Sequence, residues 1–354
     1  MAEVKPIYTA AVIGAGKARD EGFFKGGGHR IGYTHGETYG RNGRTRLVAV
    51  ADINAENLHA YQEAFDIEQG FADYREMLAA VQPEIVSICT YVGLHRQMIV
   101  DACNAGVKGI ICEKPFLAAP ADLAAVAEAA AASGTKIVVP YIRRYFPAFA
   151  RAKELYAGGA VGEPLLCIAG LPGWDLSEWG SHWLDMFRFF HDDQPVLWVF
   201  GQARVRDQRG YGHAMEDHAV AYFAFANGGK AVLDGGMAMN GEWTMTLVGA
   251  AGAIRIRRED EIVVEDGGGQ RVESFVGDPG SSYPAIWNSL LADLVAWLDG
   301  GPEPMLGLTS ALKSSELNLA AYVSALRGDR VDLPLVDDLA EWPVEVMARR
   351  NPTQ

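Results

Sequence analysis

The chain has 354 residues, 49% hydrophobic and 21% charged, which is enough for two ordinary domains with cores of their own. Its formal charge of −14, with acids and bases interspersed, argues against nucleic acid and anionic membranes as partners. The opening MAEVKPIYTA lacks the pattern of a signal peptide, and no apolar run is long enough to span a bilayer.

Cys89, Cys103, Cys112 and Cys167 show no metal-ligand spacing and lie in apolar contexts. They read as reduced core residues of a cytoplasmic protein that holds no metal.

Elements alternate in the first part. YTAAVIGAG, TRLVAVADI, EIVSICT, KGIICEKP and TKIVVPYIRR read as short buried strands. NAENLHAYQEAF, YREMLAAV, LHRQMIVDACNAG and APADLAAVAEAAAASG read as the helices between them. That alternation predicts an α/β domain with a parallel sheet over residues 1–142.

The character then changes. The helix PAFARAKELYAGG precedes longer strands in PLLCIAGLPG, in PVLWVFGQARVRDQ and across Asp217–Asp260, with Asn227-Gly228 and Ala251-Gly252 as turns. Two helices, AIWNSLLADLVAWLDGG and SALKSSELNLAAYVSALRGD, close the chain. Residues 143–354 are therefore expected to form an α+β domain with a large, mostly antiparallel open sheet.

The first strand runs into Gly14-Ala15-Gly16, the start of a dinucleotide-binding turn. Such a turn needs glycine for its tight bend, glycine for close approach of a pyrophosphate, and a third small residue where the next helix packs on the strand. Arg19 occupies the third position. Gly32 lies 16 residues beyond Gly16 where the fingerprint has 3, an insertion of 13. With that insertion removed, Asp52 at the end of the second strand falls 23 residues after Gly16, close to the usual distance of roughly 20. The fingerprint is thus interrupted rather than absent. Its insert, Lys17 to Ile31, carries Lys17, Arg19, Lys25, His29 and Arg30 and reads either as a flap beside the pyrophosphate or as a surface loop without a role. Asp52 favours NAD over NADP, because a carboxylate accepts from both ribose hydroxyls and repels a 2′-phosphate.

Ser177 to Phe190, SEWGSHWLDMFRFF, placed on a helix, sets Glu178, His182 and Asp185 in one polar stripe. Trp179, Trp183, Met186, Phe187 and Phe190 then form the core-facing side.

A resemblance becomes specific at CEKP, Cys112 to Pro115. Together with SICTYVGLHRQMIVDACNAGVKGIICEKPF, RRYFPAFARAKELYAGGAVGEPL, TLVGAAGAIRI and the closing helices, it resembles the Gfo/Idh/MocA oxidoreductase family along almost the whole chain. Thr90 and His95 match the family run, Tyr91 and Val92 replace its Pro and Asn, and Glu178 stands where its Asp-x-x-x-His pattern has aspartate.

The resemblance implies a Rossmann domain followed by an α+β domain whose open sheet often forms an oligomer interface, here a dimer or tetramer. It implies NAD as cofactor, a cis Lys114–Pro115 bond, and Glu113-Lys114-Pro115 beside the nicotinamide. Cofactor contacts are expected at Gly14, Ala15, Gly16, Lys17, Asp52, Ile53, Thr90, Tyr91, Leu94, His95, Glu113 and Lys114. Catalysis is assigned to Lys114, His182 and Glu178, and substrate contacts to Arg143, Trp174, Asp175, Trp179, His182 and Asp185.

The residue types suit oxidation of a secondary alcohol. Histidine is a base near neutral pH, and lysine stabilises the developing oxyanion, though a lysine with lowered pKa is also able to serve as base. The expected reaction is NAD(H)-dependent oxidation of a secondary hydroxyl of a sugar, a glycoside (C3 being one site) or a cyclic polyol, or the reverse. A redox-neutral glycoside cleavage by oxidation, elimination and reduction, and a nucleotide-binding regulator without turnover, are the alternatives. The active site is expected in the interdomain cleft.

Overall fold

The computed structural model describes residues 6–18 and 29–350. Arg19 and Lys25 of the insert lie outside the described residues. The chain divides into two compact units: residues 1–117, 122–140 and 287–312, and residues 118–121, 141–286 and 313–354. The change of unit near residue 140 lies close to the expected boundary. The second unit is not the continuous stretch 143–354, however, because Trp287–Leu312 returns to the first.

Among the described residues, the first unit contains six parallel strands: β1 (Tyr8–Ile13), β2 (Thr45–Ala51), β3 (Gln69–Phe71), β4 (Ile85–Ile88), β5 (Gly109–Cys112) and β6 (Lys136–Val138). Their order is β3-β2-β1-β4-β5-β6, the arrangement of a dinucleotide-binding sheet. β4 and β5 are buried at every residue, so helices cover both faces and no polar alternation survives. The helices are α1 (Ile31–Arg41), α2 (Ala55–Phe65), α3 (Tyr74–Val81), α4 (Val92–Asn104) and α5 (Pro120–Ser133). Asn54 starts α2 by accepting from the backbone N–H of Glu56 and Asn57, each at 3.0 Å. The order reverses between β1 and β4, and the open carboxyl ends there form the usual ligand crevice of such sheets.

The second unit opens with a single 3₁₀ turn, Ile142–Tyr145, and α6 (Pro147–Ala157). Its strands are β7 (Pro164–Pro172), β8 (Val196–Gly210), β9 (His213–Phe225), β10 (Lys230–Gly236), β11 (Thr244–Gly249), β12 (Gly252–Arg258), β13 (Glu261–Asp266), β14 (Gly269–Ser274) and β15 (Val331–Asp332). They form one sheet in the order β14-β13-β12-β11-β7-β10-β9-β8-β15, with β7 and β10 parallel and the other pairs antiparallel. α7 (Gly180–Phe190) lies between β7 and β8; after the sheet the chain forms α8 (Tyr283–Leu298), most of which belongs to the first unit, then α9 (Leu308–Arg327) and α10 (Pro343–Arg350). No helix among the described residues is long and apolar enough to cross a membrane.

Candidate active site

The phosphate turn closes as the spacing predicts. Gly14 and Gly16 have φ of +89° and +65°, a region that L side chains rarely adopt. A Cβ on Gly32, in the first turn of α1, would lie 2.4 Å from the Ala15 carbonyl oxygen and 2.5 Å from that of Gly14. Gly32 therefore performs the packing that the third glycine performs in an uninterrupted fingerprint. The Lys17 N–H donates to the His29 carbonyl at 3.0 Å, so the described ends of the insert are held side by side. Asp52 accepts from the Gly16 N–H at 3.2 Å and from the Asn54 N–H at 2.8 Å, which aims its carboxylate at the turn. Ile53, next to it, is 95% exposed.

The second crevice wall comes from the ends of β4 and β5. Tyr91 and Leu94 are exposed at the start of α4, and the Thr90 hydroxyl donates to Met98 Sδ at 3.3 Å. His95, expected among the cofactor contacts, is instead fully buried. Its ring nitrogens lie 2.9 Å from the Thr90 carbonyl and 3.1 Å from the Phe116 carbonyl, so it ties the loop after β4 to the loop after β5. The Lys114–Pro115 bond is cis.

Glu113 follows the end of β5. It is 6% exposed and takes up His35 Nε2 at 3.0 Å and the Lys114 N–H at 3.2 Å. His35 Nδ1 meets Ser87 Oγ at 2.8 Å, and Ser87 meets the Tyr39 hydroxyl at 2.7 Å. This buried chain runs from α1 through β4 to the residue before Lys114 and joins residues that no local sequence pattern links. Its one signal is a histidine three residues after Gly32.

In the second unit, the residues before α7 form a turn rather than helix. Asp175 builds it, accepting from the Glu178 N–H at 2.9 Å and from that of Trp179 at 3.4 Å. Asp175 is wholly buried, so its expected role as a substrate contact gives way to one in holding the turn. Burial first, then the charges of Glu216 and Glu178, push its pKa up to about 7.

The turn presents Glu178, 6% exposed, and the half-buried rings of Trp174 and Trp179, whose centroids are 4.2 Å apart. His182, 6% exposed, stands in the first turn of α7, 6.2 Å from the rings of Trp179 and Tyr141.

The polar stripe does not extend to Asp185. That carboxylate is fully buried and accepts from Arg144 Nε at 2.8 Å, Arg144 Nη2 at 2.9 Å and the Ser314 hydroxyl at 2.9 Å. It anchors α7 from the interior of the unit. Every residue of α7 is buried, so the helix has no solvent face for a stripe to occupy. Arg143 lies beneath the same region, bonded to Glu259 at 2.9 Å and 4.8 Å over the Trp183 ring. Burial lowers its pKa.

A parallel sheet in this order, a glycine turn with a carboxylate at the end of β2, and a Glu-Lys-Pro segment after β5 define an NAD-binding oxidoreductase. Two family models agree. One, described as an oxidoreductase family with an NAD-binding Rossmann fold, matches residues 9–141, and the GFO/IDH/MocA C-terminal domain matches residues 149–255. The chain belongs to the Gfo/Idh/MocA family, and its cofactor is NAD.

D-apiose dehydrogenase of Paraburkholderia graminis is 28% identical over 326 residues, covering 84% of this chain and 85% of that protein. D-glucoside 3-dehydrogenase of Escherichia coli is 24% identical over 259 residues, covering 65% and 70%. In fold, the WlbA dehydrogenase of Bordetella pertussis, solved with NADH and UDP-GlcNAcA, superposes with a TM-score of 0.76 at 20% identity, covering 94% of this chain and 100% of that one.

Proposed function

We propose that this enzyme oxidises a secondary hydroxyl of a sugar, glycoside or cyclic polyol, or runs the reverse reduction. The observation that carries the reading is the half-buried Trp174–Trp179 pair beside His182 and Glu178. Flat aromatic faces next to polar groups suit a pyranose or cyclitol ring, which is apolar on its faces and polar at its rim. The names of the two relatives, apiose and glucoside dehydrogenases, point the same way.

Gly14, Gly16, Lys17 and Asp52 would hold the dinucleotide, with the N-terminus of α1 toward the pyrophosphate. Bound NAD supplies the acceptor for the hydride that leaves the carbinol carbon. His182 takes the hydroxyl proton, Lys114 stabilises the charge growing on that oxygen, and Glu178 binds neighbouring hydroxyls.

A screen of NAD reduction across free sugars, inositols, uronates and glycosides tests the proposal. Initial-rate NADH production on one class is the expected result, and none on any class sinks it. Aglycone release without net NADH would replace it with redox-neutral cleavage. With a substrate found, His182→Ala and Lys114→Ala should each slow kcat by roughly 10²–10⁴-fold. Because both serve one transition state, the double variant should lose far less than the product of the two.

The enzyme is further proposed to self-associate through the outer face of the second-unit sheet. Ile168, Val232, Tyr222 and Phe200 stand in register across β7, β10, β9 and β8, an apolar row on the side away from the unit's core.

A further inference from the structure

β9 carries two titratable groups, His213 and Glu216, into the interior of the second unit, where they meet the turn before α7. His213 is 2% exposed. Its Nδ1 lies 2.7 Å from the Ala214 carbonyl oxygen, which only accepts, so Nδ1 carries a proton. Its Nε2 lies 3.1 Å from Glu178 Oε1. A ring between a carbonyl and a carboxylate satisfies both neighbours as the imidazolium, donating from each nitrogen. The Trp342 ring lies 4.1 Å away, and an aromatic face favours a cation.

Other charged groups surround the pair. Asp175 and Glu216 come from the turn and from β9. Glu216 accepts from the Leu176 N–H and, at 3.0 Å, from the Tyr322 hydroxyl on α9. Glu345 on α10 accepts from the Ala214 N–H at 2.8 Å and is paired with Arg209 on β8. Burial raises the pKa of both Asp175 and Glu216, while the charge of His213 works against that rise. Burial alone would lower the pKa of His213, but the hydrogen bond and charge of Glu178, with Asp175 and the Ala214 carbonyl, hold it above the ordinary value.

We propose that His213 is a positioning residue, which by its hydrogen bond fixes the direction of the Glu178 carboxylate toward the substrate's hydroxyls. The inference rests on the substrate-binding role given to Glu178 above. It also accounts for a departure from the family pattern. Glutamate replaces aspartate at position 178, and the added methylene is the reach that carries a carboxylate to an imidazole on β9.

The test uses the full chain loaded with NAD, as wild type, His213→Gln, Glu178→Gln, Glu178→Asp and the double Gln variant. Histidine-labelled NMR over pH 5–9 follows the ring, its resonance identified by its loss in H213Q. Wild-type His213 should titrate above the ordinary histidine value, and E178Q should lower its titration, because the hydrogen bond and charge of Glu178 help to raise it. An E178Q titration equal to wild type overturns the proposal.

In turnover, H213Q should cut kcat by about tenfold and change the pH dependence of kcat while leaving NAD affinity intact. E178D, which keeps the histidine and shortens the reach, should do the same, so the test survives poor folding of H213Q. The double variant should be no slower than E178Q. Costs that multiply, or an unaltered pH profile in H213Q and E178D, would show a merely structural histidine. Full turnover in E178Q would instead remove the substrate role of Glu178, a separate failure of the reading beneath.

Discussion

A methyl group on Gly32 would press on two carbonyl oxygens of the phosphate turn, both within 2.5 Å. Gly32→Ala should therefore push α1 off the turn. Overpacking of this kind costs about 1–3 kcal/mol, and a loss of about tenfold in NAD affinity by calorimetry is the expected outcome, with unaltered affinity as the contrary one. This glycine was legible because spacing alone exposes an insertion. The roles of His35 and Arg144 were not, because their partners lie far along the chain and no local pattern joins them. Arg143 and Arg144 are neighbours in sequence, yet the second takes the buried carboxylate and the first binds Glu259.

Asp175 belongs to this scale as well. An unfolded aspartate titrates near ~3.9, whereas burial, then Glu216 and Glu178, hold Asp175 at about 7. The folded state keeps a proton that the unfolded chain releases, so this group costs stability increasingly as pH rises from about 4 to about 7 and no further above that. Asp175→Asn removes the titration. Between pH 5 and pH 8 the variant's urea stability should gain on wild type by roughly 2–4 kcal/mol at most. A constant difference would show that Asp175 ionises as it does unfolded.

At the scale of elements, α7 is held by buried charged pairs as well as by its apolar side chains. Arg144 bridges Asp185 and Asp193, and Ser314 on α9 bonds both Asp185 and Arg188. Removing one partner of a buried pair costs about 3–5 kcal/mol, so Arg144→Ala should lower unfolding stability by that order. Asp193→Ala should cost less, since that side chain is 40% exposed. Equal losses in urea denaturation would contradict this ranking. The apolar half of α7 was legible from its period, since Trp183, Met186, Phe187 and Phe190 are all buried. Its start was not, because Asp175 caps a preceding turn and keeps Glu178 out of the helix. The weaker elements β3, β13, β14, β15 and α10 escaped the sequence reading for a related reason. β3 and β15 have three and two residues, and β14 is a mostly exposed, polar strand held by its pairing with β13.

For the whole molecule, the division into units shows what periodicity leaves out. Trp287–Leu312 follows the sheet of the second unit in sequence but packs in the first, a choice made by long-range contacts. The sheet itself makes the last prediction. Strands with one face on a core normally alternate apolar inside and polar outside. Here the inner residues of β9 alternate with Val220 and Tyr222, and Tyr222 pairs with Phe200 on one side and Val232 on the other. Phe200 is 46% exposed and Ile168 is 38% exposed, while Trp198 stacks on Tyr222 at 5.2 Å. A row of this kind is costly to leave in water and is suited to a second copy of itself. Wild-type enzyme should elute as a dimer or larger assembly in size-exclusion chromatography with light scattering. Phe200→Asp with Ile168→Asp places a charge at each end of the row while leaving the core side of each strand unaltered. The expected product is a folded monomer with unchanged NAD affinity. A wild-type monomer, or a double variant that keeps its mass, would remove this face from the assembly.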